Sequence, residues 1–131
     1  MHIGEEVTIR PLQPYPQIMF FDGTEFRDDG AVLRGTPCLG VRVPALQSPA
    51  RLILQVRCIA QQTLTVSLDD APPAEHRIKN PGVNAVPVTV PPGKERMLML
   101  RFKYKSARRS REMVPEQVRV NLCGVRLEHS E

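Results

Sequence analysis

The chain has no tryptophan, and only 5% of its residues are aromatic. That is little for a surface that stacks on single-stranded bases, so nucleic acid is a disfavoured partner. It has three cysteines, Cys38, Cys58 and Cys123, and no CxxC pair. An odd count without metal-ligand spacing argues against a disulfide framework or a zinc site. No apolar run approaches the length of a membrane-spanning helix. The opening MHIGEEVTIRP has neither a basic n-region nor an apolar h-region, so the expectation is a soluble, cytoplasmic chain. There is no P-loop, no GxGxxG and no HExxH. His2, His76 and His129 share no ligand spacing. Nothing in this inventory points to an enzyme.

What the chain does have is alternation. Leu52, Leu54, Val56 and Cys58 share one phase. So do Leu64, Val66 and Leu68, then Val86, Val88 and Val90, then Leu98, Leu100, Phe102 and Tyr104, then Val118, Val120 and Leu122. A period of two buries one face of a strand and wets the other. Five such runs with no helix pattern between them predict an all-β, antiparallel β-sandwich of jelly-roll type. The pattern distinguishes nine or ten short strands. At 131 residues the chain reads as a single domain, residues 1–131.

Thirteen prolines, about twice the usual share, mostly punctuate these runs. Proline has no N–H to give a ladder, so it marks strand ends and edges. Pro87 instead interrupts the run from Ala85 to Val90, which predicts an edge strand there. Asp22 to Gly30 reads as a loop of turn-tolerant residues. Cys58 is expected as a small buried residue in the inward phase. Ile53 and Ile59 occupy the second phase of their strand, as a central strand allows. The last run changes phase: Leu122 is even, Val125 and Leu127 odd. One extra residue at Cys123-Gly124 restores a single face, which predicts a β-bulge.

Charge is uneven. Residues 1–50 carry four basic and six acidic groups, a net −2; residues 51–131 carry fourteen and eight, a net +6, which leaves the chain at +4. Lys103, Lys105, Arg108, Arg109 and Arg111 put five positive charges into nine residues. Arginine's planar fork fits carboxylate and phosphate oxygens, so this stretch suits an anionic polymer. The plain alternative is a solvated loop after an edge strand. Asp22, Glu25, Asp28 and Asp29 form a weak calcium candidate, for calcium takes several carboxylate oxygens, though the EF-hand spacing is absent. Asp69, Asp70, Glu75 and His76 gather acid and base around one loop without a nucleophile beside them. Arg51, Gln55, Arg57, Thr63, Thr65, Ser67 and Arg101 read as an outward polar row able to bond sugar hydroxyls or carboxylates. Phe26, in the acidic loop, is the aromatic most expected to be exposed.

Certain runs also carry a resemblance. RLILQVRCIA leads into TLTVSLDDAPPAEHRI; VTVPPGKE makes a turn into RMLMLRFKYK; the chain ends on QVRVNLCGVRLEHS. This rhythm, over roughly residues 38 to 128, resembles galactose-binding-like jelly rolls. It is most similar to the carbohydrate-binding-module-like accessory domains of bacterial glycosyltransferases. The family's Asp-x-Arg-x-Leu-Gly element is blurred into Glu116, Arg119, Leu122 and Gly124, and its strand-end Asn-Gly is replaced by Asp69-Asp70. The resemblance implies a non-catalytic module that binds a glycan, lectin-like and in a glycosyltransferase or surface-polysaccharide setting, or that packs on a partner domain; no cofactor is expected beyond the weak calcium candidate.

The expected ligand-binding residues are Arg51, Arg57 and Arg101 on the polar face, Arg108, Arg109 and Arg111 in the basic stretch, and Phe26. The rival expectation is a structural or protein-interaction sandwich. It would dock a partner protein or form a homo-oligomer through a surface of Met97, Met99, Ile53 and Ile59.

Overall fold

A computed structural model describes residues 1, 3–9, 18–20, 25–27, 30–33, 38–58, 62–68, 73–78, 82–106 and 120–129. Among these, eleven strands follow in chain order: β1 Glu6–Thr8, β2 Ile18–Phe20, β3 Glu25–Arg27, β4 Gly30–Leu33, β5 Cys38–Val43, β6 Ala50–Cys58, β7 Gln62–Leu68, β8 Ala74–Ile78, β9 Gly82–Val90, β10 Arg96–Ser106 and β11 Val120–His129. They form two sheets. The first has the order β3-β4-β11-β6-β9, with β1 also on β11; the second has the order β2-β5-β10-β7-β8. Every pairing is antiparallel. The molecule is an all-β sandwich of jelly-roll type.

The inward phase is the one that alternation predicts. Leu52, Leu54 and Val56 of β6 face the interior with Leu64, Val66 and Leu68 of β7, and all are buried. Val86, Val88 and Val90, Leu98 and Leu100, and Leu122, Val125 and Leu127 complete the same core. Each fully buried leucine contributes roughly 2 kcal/mol, so this layer, rather than the polar outer faces, holds the sandwich together. Phe102, Tyr104, Val118, Val120 and Cys58 belong to the predicted inward set, but their side chains lie outside the described residues.

The bulge falls where the phase change predicts. The β6–β11 register shifts between Leu122 and Gly124. There β11 also changes partner on its other edge. β4 pairs with Val120 to Leu122, and β1 takes over from Gly124 to Arg126. The extra residue, Cys123, lets Leu122 and Val125 both reach the core with no exposure. Its carbonyl accepts from Ile9 N at 2.9 Å, which ties the N-terminal segment to the bulge.

β9 is an edge of the first sheet, as Pro87 predicts. Among the described residues no strand pairs with its other side, so a residue without an N–H is tolerated there. One strand is an addition to the sequence pattern. β3 lies inside the stretch read as a loop, and Arg27 pairs with Gly30 in a tight β3–β4 hairpin. Three residues set among glycine and aspartate carry too little alternation to stand out. His129 is the last residue of β11 and pairs with Ala50.

Candidate binding face

The two sheets turn opposite outer faces to solvent, and the sequence-predicted polar row is divided between them. On the first sheet, register sets Arg51 between Thr89 and Glu128, Ile53 between Pro87 and Arg126, and Gln55 between Ala85 and Gly124. Two arginines here share one carboxylate, although Arg51 Nε is buried without a hydrogen-bond partner. Arg51 Nη2 lies 3.2 Å from Glu128 Oε1, and Arg126 Nε donates to Glu128 Oε2 at 3.2 Å. Gln55 Nε2 donates to Glu6 Oε1 at 3.1 Å. Ile53 is only 5% exposed although it is in the outward phase. Its neighbours Pro87, Arg126 and Arg51 flank it on the same face, as long arginine stems do over apolar surface. Arg57 is exposed near the far end of β6. Beside it in register, Asn121 is buried and its Oδ1 has no hydrogen-bond partner.

The outer face of the second sheet is arranged differently. β10 runs down its middle, carrying Met97, Met99 and Arg101 in the outward phase. Both methionines are half-buried, and Arg101 is exposed. Met99 stands opposite Gly40, which opposes Met19 in turn. On the other side of β10, Arg101 pairs with Ser67, Lys103 with Thr65 and Lys105 with Thr63. The next strand out, β8, sets Glu75 against Thr65 and Arg77 against Thr63. Arg42 meets Glu95 at 3.5 Å, a weak pair between side chains 52% and 64% exposed. The face therefore has an apolar end around Met97 and Met99, and a polar end of hydroxyls and cations.

Arg51 and Arg57 thus sit on one face and Arg101 on the other, so these three do not form one polar row. Residue alternation gives each strand's outward side, but only the pairing order says which sheet that side belongs to. The same division separates Ile53 from Met97 and Met99, so these do not make one oligomer surface; Ile59 lies outside the described residues. Arg108, Arg109 and Arg111 also lie outside them. Phe26 pairs with Ala31 and Glu25 with Val32 in the β3–β4 hairpin. Of the calcium candidates, Asp22, Asp28 and Asp29 lie outside the described residues. Among those described, no three His, Cys, Asp or Glu side chains gather in a way that could hold a metal ion. No helix among the described residues is long and apolar enough to cross a membrane.

The acid–base cluster around His76 does not form as read. His76 and Glu75 are consecutive residues of β8 and point to opposite faces. Glu75 is exposed, and His76 stands opposite the buried Leu64. His76 Nε2 is buried without a partner. Burial alone holds its pKa below the ordinary 6.5, which favours the neutral ring. Asp69 and Asp70 lie outside the described residues.

No family profile matches the chain, and no curated protein does. Solved structures do. A family 35 carbohydrate-binding module from Clostridium thermocellum aligns with a TM-score of 0.55 at 12% identity, over 86% of this chain and 93% of the module. A family two carbohydrate esterase from Cellvibrio japonicus aligns at 0.60 and 15% identity, over 98% of this chain and 35% of the esterase. An acetyl xylan esterase from the rumen bacterium Butyrivibrio proteoclasticus aligns at 0.58 and 11% identity, over 98% and 34%. The fold is a jelly-roll β-sandwich of the kind seen in these structures. At these identities the likeness is one of fold. The chain spans about a third of each esterase, whereas it matches the binding module over nearly its whole length.

Proposed function

We propose that the chain is a non-catalytic saccharide-binding module, and that its site is the outer face of β2-β5-β10-β7-β8. The observation that carries this reading is the structural alignment with a carbohydrate-binding module over 86% of this chain and 93% of the module. The face has the mixture that sugar binding needs: exposed guanidinium groups at Arg101 and Arg77, a half-buried hydroxyl at Ser67, and an apolar platform at Met97 and Met99 beside them. The opposite face is a poorer candidate, because Arg51, Arg126 and Gln55 already hold partners of the same chain. The setting we favour is a carbohydrate-active enzyme system. The resemblance of the sequence to accessory domains of bacterial glycosyltransferases supports a glycosyltransferase or surface-polysaccharide version of it.

A glycan array holding neutral and acidic polysaccharides tests the reading. The expected result is a specific hit that Arg101→Ala weakens and Arg51→Ala does not. A blank array on folded protein contradicts it and favours the second reading, a protein-docking sandwich. That reading draws on the half-buried Met97 and Met99, and light scattering that finds only monomer argues against its homo-oligomeric form.

A further inference from the structure

The register between β10 and β7 repeats one chemical pair three times. Arg101 stands opposite Ser67, Lys103 opposite Thr65 and Lys105 opposite Thr63. Each rung joins a position for a cation to a residue with a hydroxyl. The positions 101, 103 and 105 follow one another at about 6.8 Å along the strand. That is shorter than the screening length of about 8 Å at physiological salt, so the fields of three such charges overlap. β8 extends two of the rungs, adding Glu75 to one and Arg77 to the other. The register of the sheet's long central strand thus places three basic residues, in sequence, opposite three hydroxyl residues. A single sugar would use one rung; a polymer would use all three.

Resting on the saccharide reading above, we propose that the ligand is an acidic polysaccharide that lies extended along β10. Its carboxylates meet the cations of Arg101, Lys103 and Lys105, and its hydroxyls exchange hydrogen bonds with Ser67, Thr65 and Thr63. Arginine binds a carboxylate through a planar fork, which favours uronate groups at the Arg101 rung. The hydroxyl half of each rung also offers acceptors to sugar hydroxyls, which a plain polyanion does not carry. The other outer face lacks this array, since its Arg51 and Arg126 share Glu128.

The test measures binding of the full chain to immobilised polygalacturonate, alginate and hyaluronate, with methyl-esterified pectin and polyglutamate as controls. Esterification removes the charge from the same sugar backbone; polyglutamate keeps the charge without the sugar. The expected result is that at least one acidic polysaccharide binds about tenfold or more tightly than either control. The R101A/K103A/K105A variant should lose that affinity by about tenfold or more. The T63V/T65V/S67A variant should lose it severalfold, and R51A/R57A on the other face should leave it unchanged. Circular dichroism of each variant confirms its fold. Equal binding of pectin and polygalacturonate overturns the acidic ligand and leaves the saccharide reading standing. Equal binding of polyglutamate overturns both. Binding of none of the acidic polysaccharides, or loss in R51A/R57A, overturns the proposal.

Discussion

Arg51 Nη2 stands 3.2 Å from Glu128 Oε1 across the ladder between β6 and β11. Glu128 also accepts from Arg126 on its own strand, so one carboxylate serves two guanidinium groups. All three side chains are partly exposed, and pairs of that kind are worth little singly. Replacing Glu128 with alanine should therefore cost only about 1 kcal/mol. The urea midpoint should fall by the corresponding amount at low salt and by less at high salt. Saccharide binding should be unchanged, because this face is not the proposed site.

Gly30 opens β4 and pairs with Arg27 of β3. Its φ is +126°, and a Cβ there would meet the Leu122 carbonyl oxygen and lie 2.9 Å from the carbonyl carbon. Neither backbone can give way without opening the β4–β11 pairing. Gly30→Ala should destabilise by about 2–3 kcal/mol. Gly82 has φ +107° but open space around it, so Gly82→Ala should cost about 1 kcal/mol. Thermal melting of the two variants reads the difference.

Consecutive residues of β10 separate core from surface. Leu100 is fully buried, while Met99 is half-buried on the outer face. Leu100→Ala should cost about 3 kcal/mol, and Met99→Ala about 1 kcal/mol. Chemical denaturation with matched slopes checks both. Equal losses would mean that another chain or segment covers the outer face.

His76 gives the fold a pH dependence of known sign. Burial lowers its folded pKa below the ordinary 6.5, so the unfolded chain binds the proton more readily. The contribution is complete above pH 6.5 and is lost as pH falls from there through the folded value. In that window its slope is at most about 1.4 kcal/mol per pH unit. His76→Leu should flatten this part of the profile. The measurement is the difference in urea midpoint between variant and parent at pH 7.5 and at pH 5. A constant difference would contradict the assignment.

Much of the fold was legible because alternation reports burial directly. Leu52, Leu54 and Val56 declared a face, Pro87 declared an edge, and the change from even to odd between Leu122 and Val125 declared the bulge. The pairing of strands distant in sequence left no local mark. Nothing near Arg51 says that Glu128 will lie beside it, and nothing near Arg101 says that it will face away from Arg51. The candidate site depends on exactly that information. Its constituents Arg101, Ser67 and Thr65 could be named from their outward phase, but not assembled. Lys103 and Lys105 stood out only as part of a basic run, and their hydroxyl partners emerged with the register.

The most direct test of the proposed site is a nitrogen-15 amide titration of the protein with an oligogalacturonate. The account predicts shifts concentrated on β10 and β7, at Arg101, Ser67, Thr65 and Thr63, with β6 and β11 silent. Shifts centred on Arg51, Arg57 and Arg126, or none at saturating ligand, would contradict it.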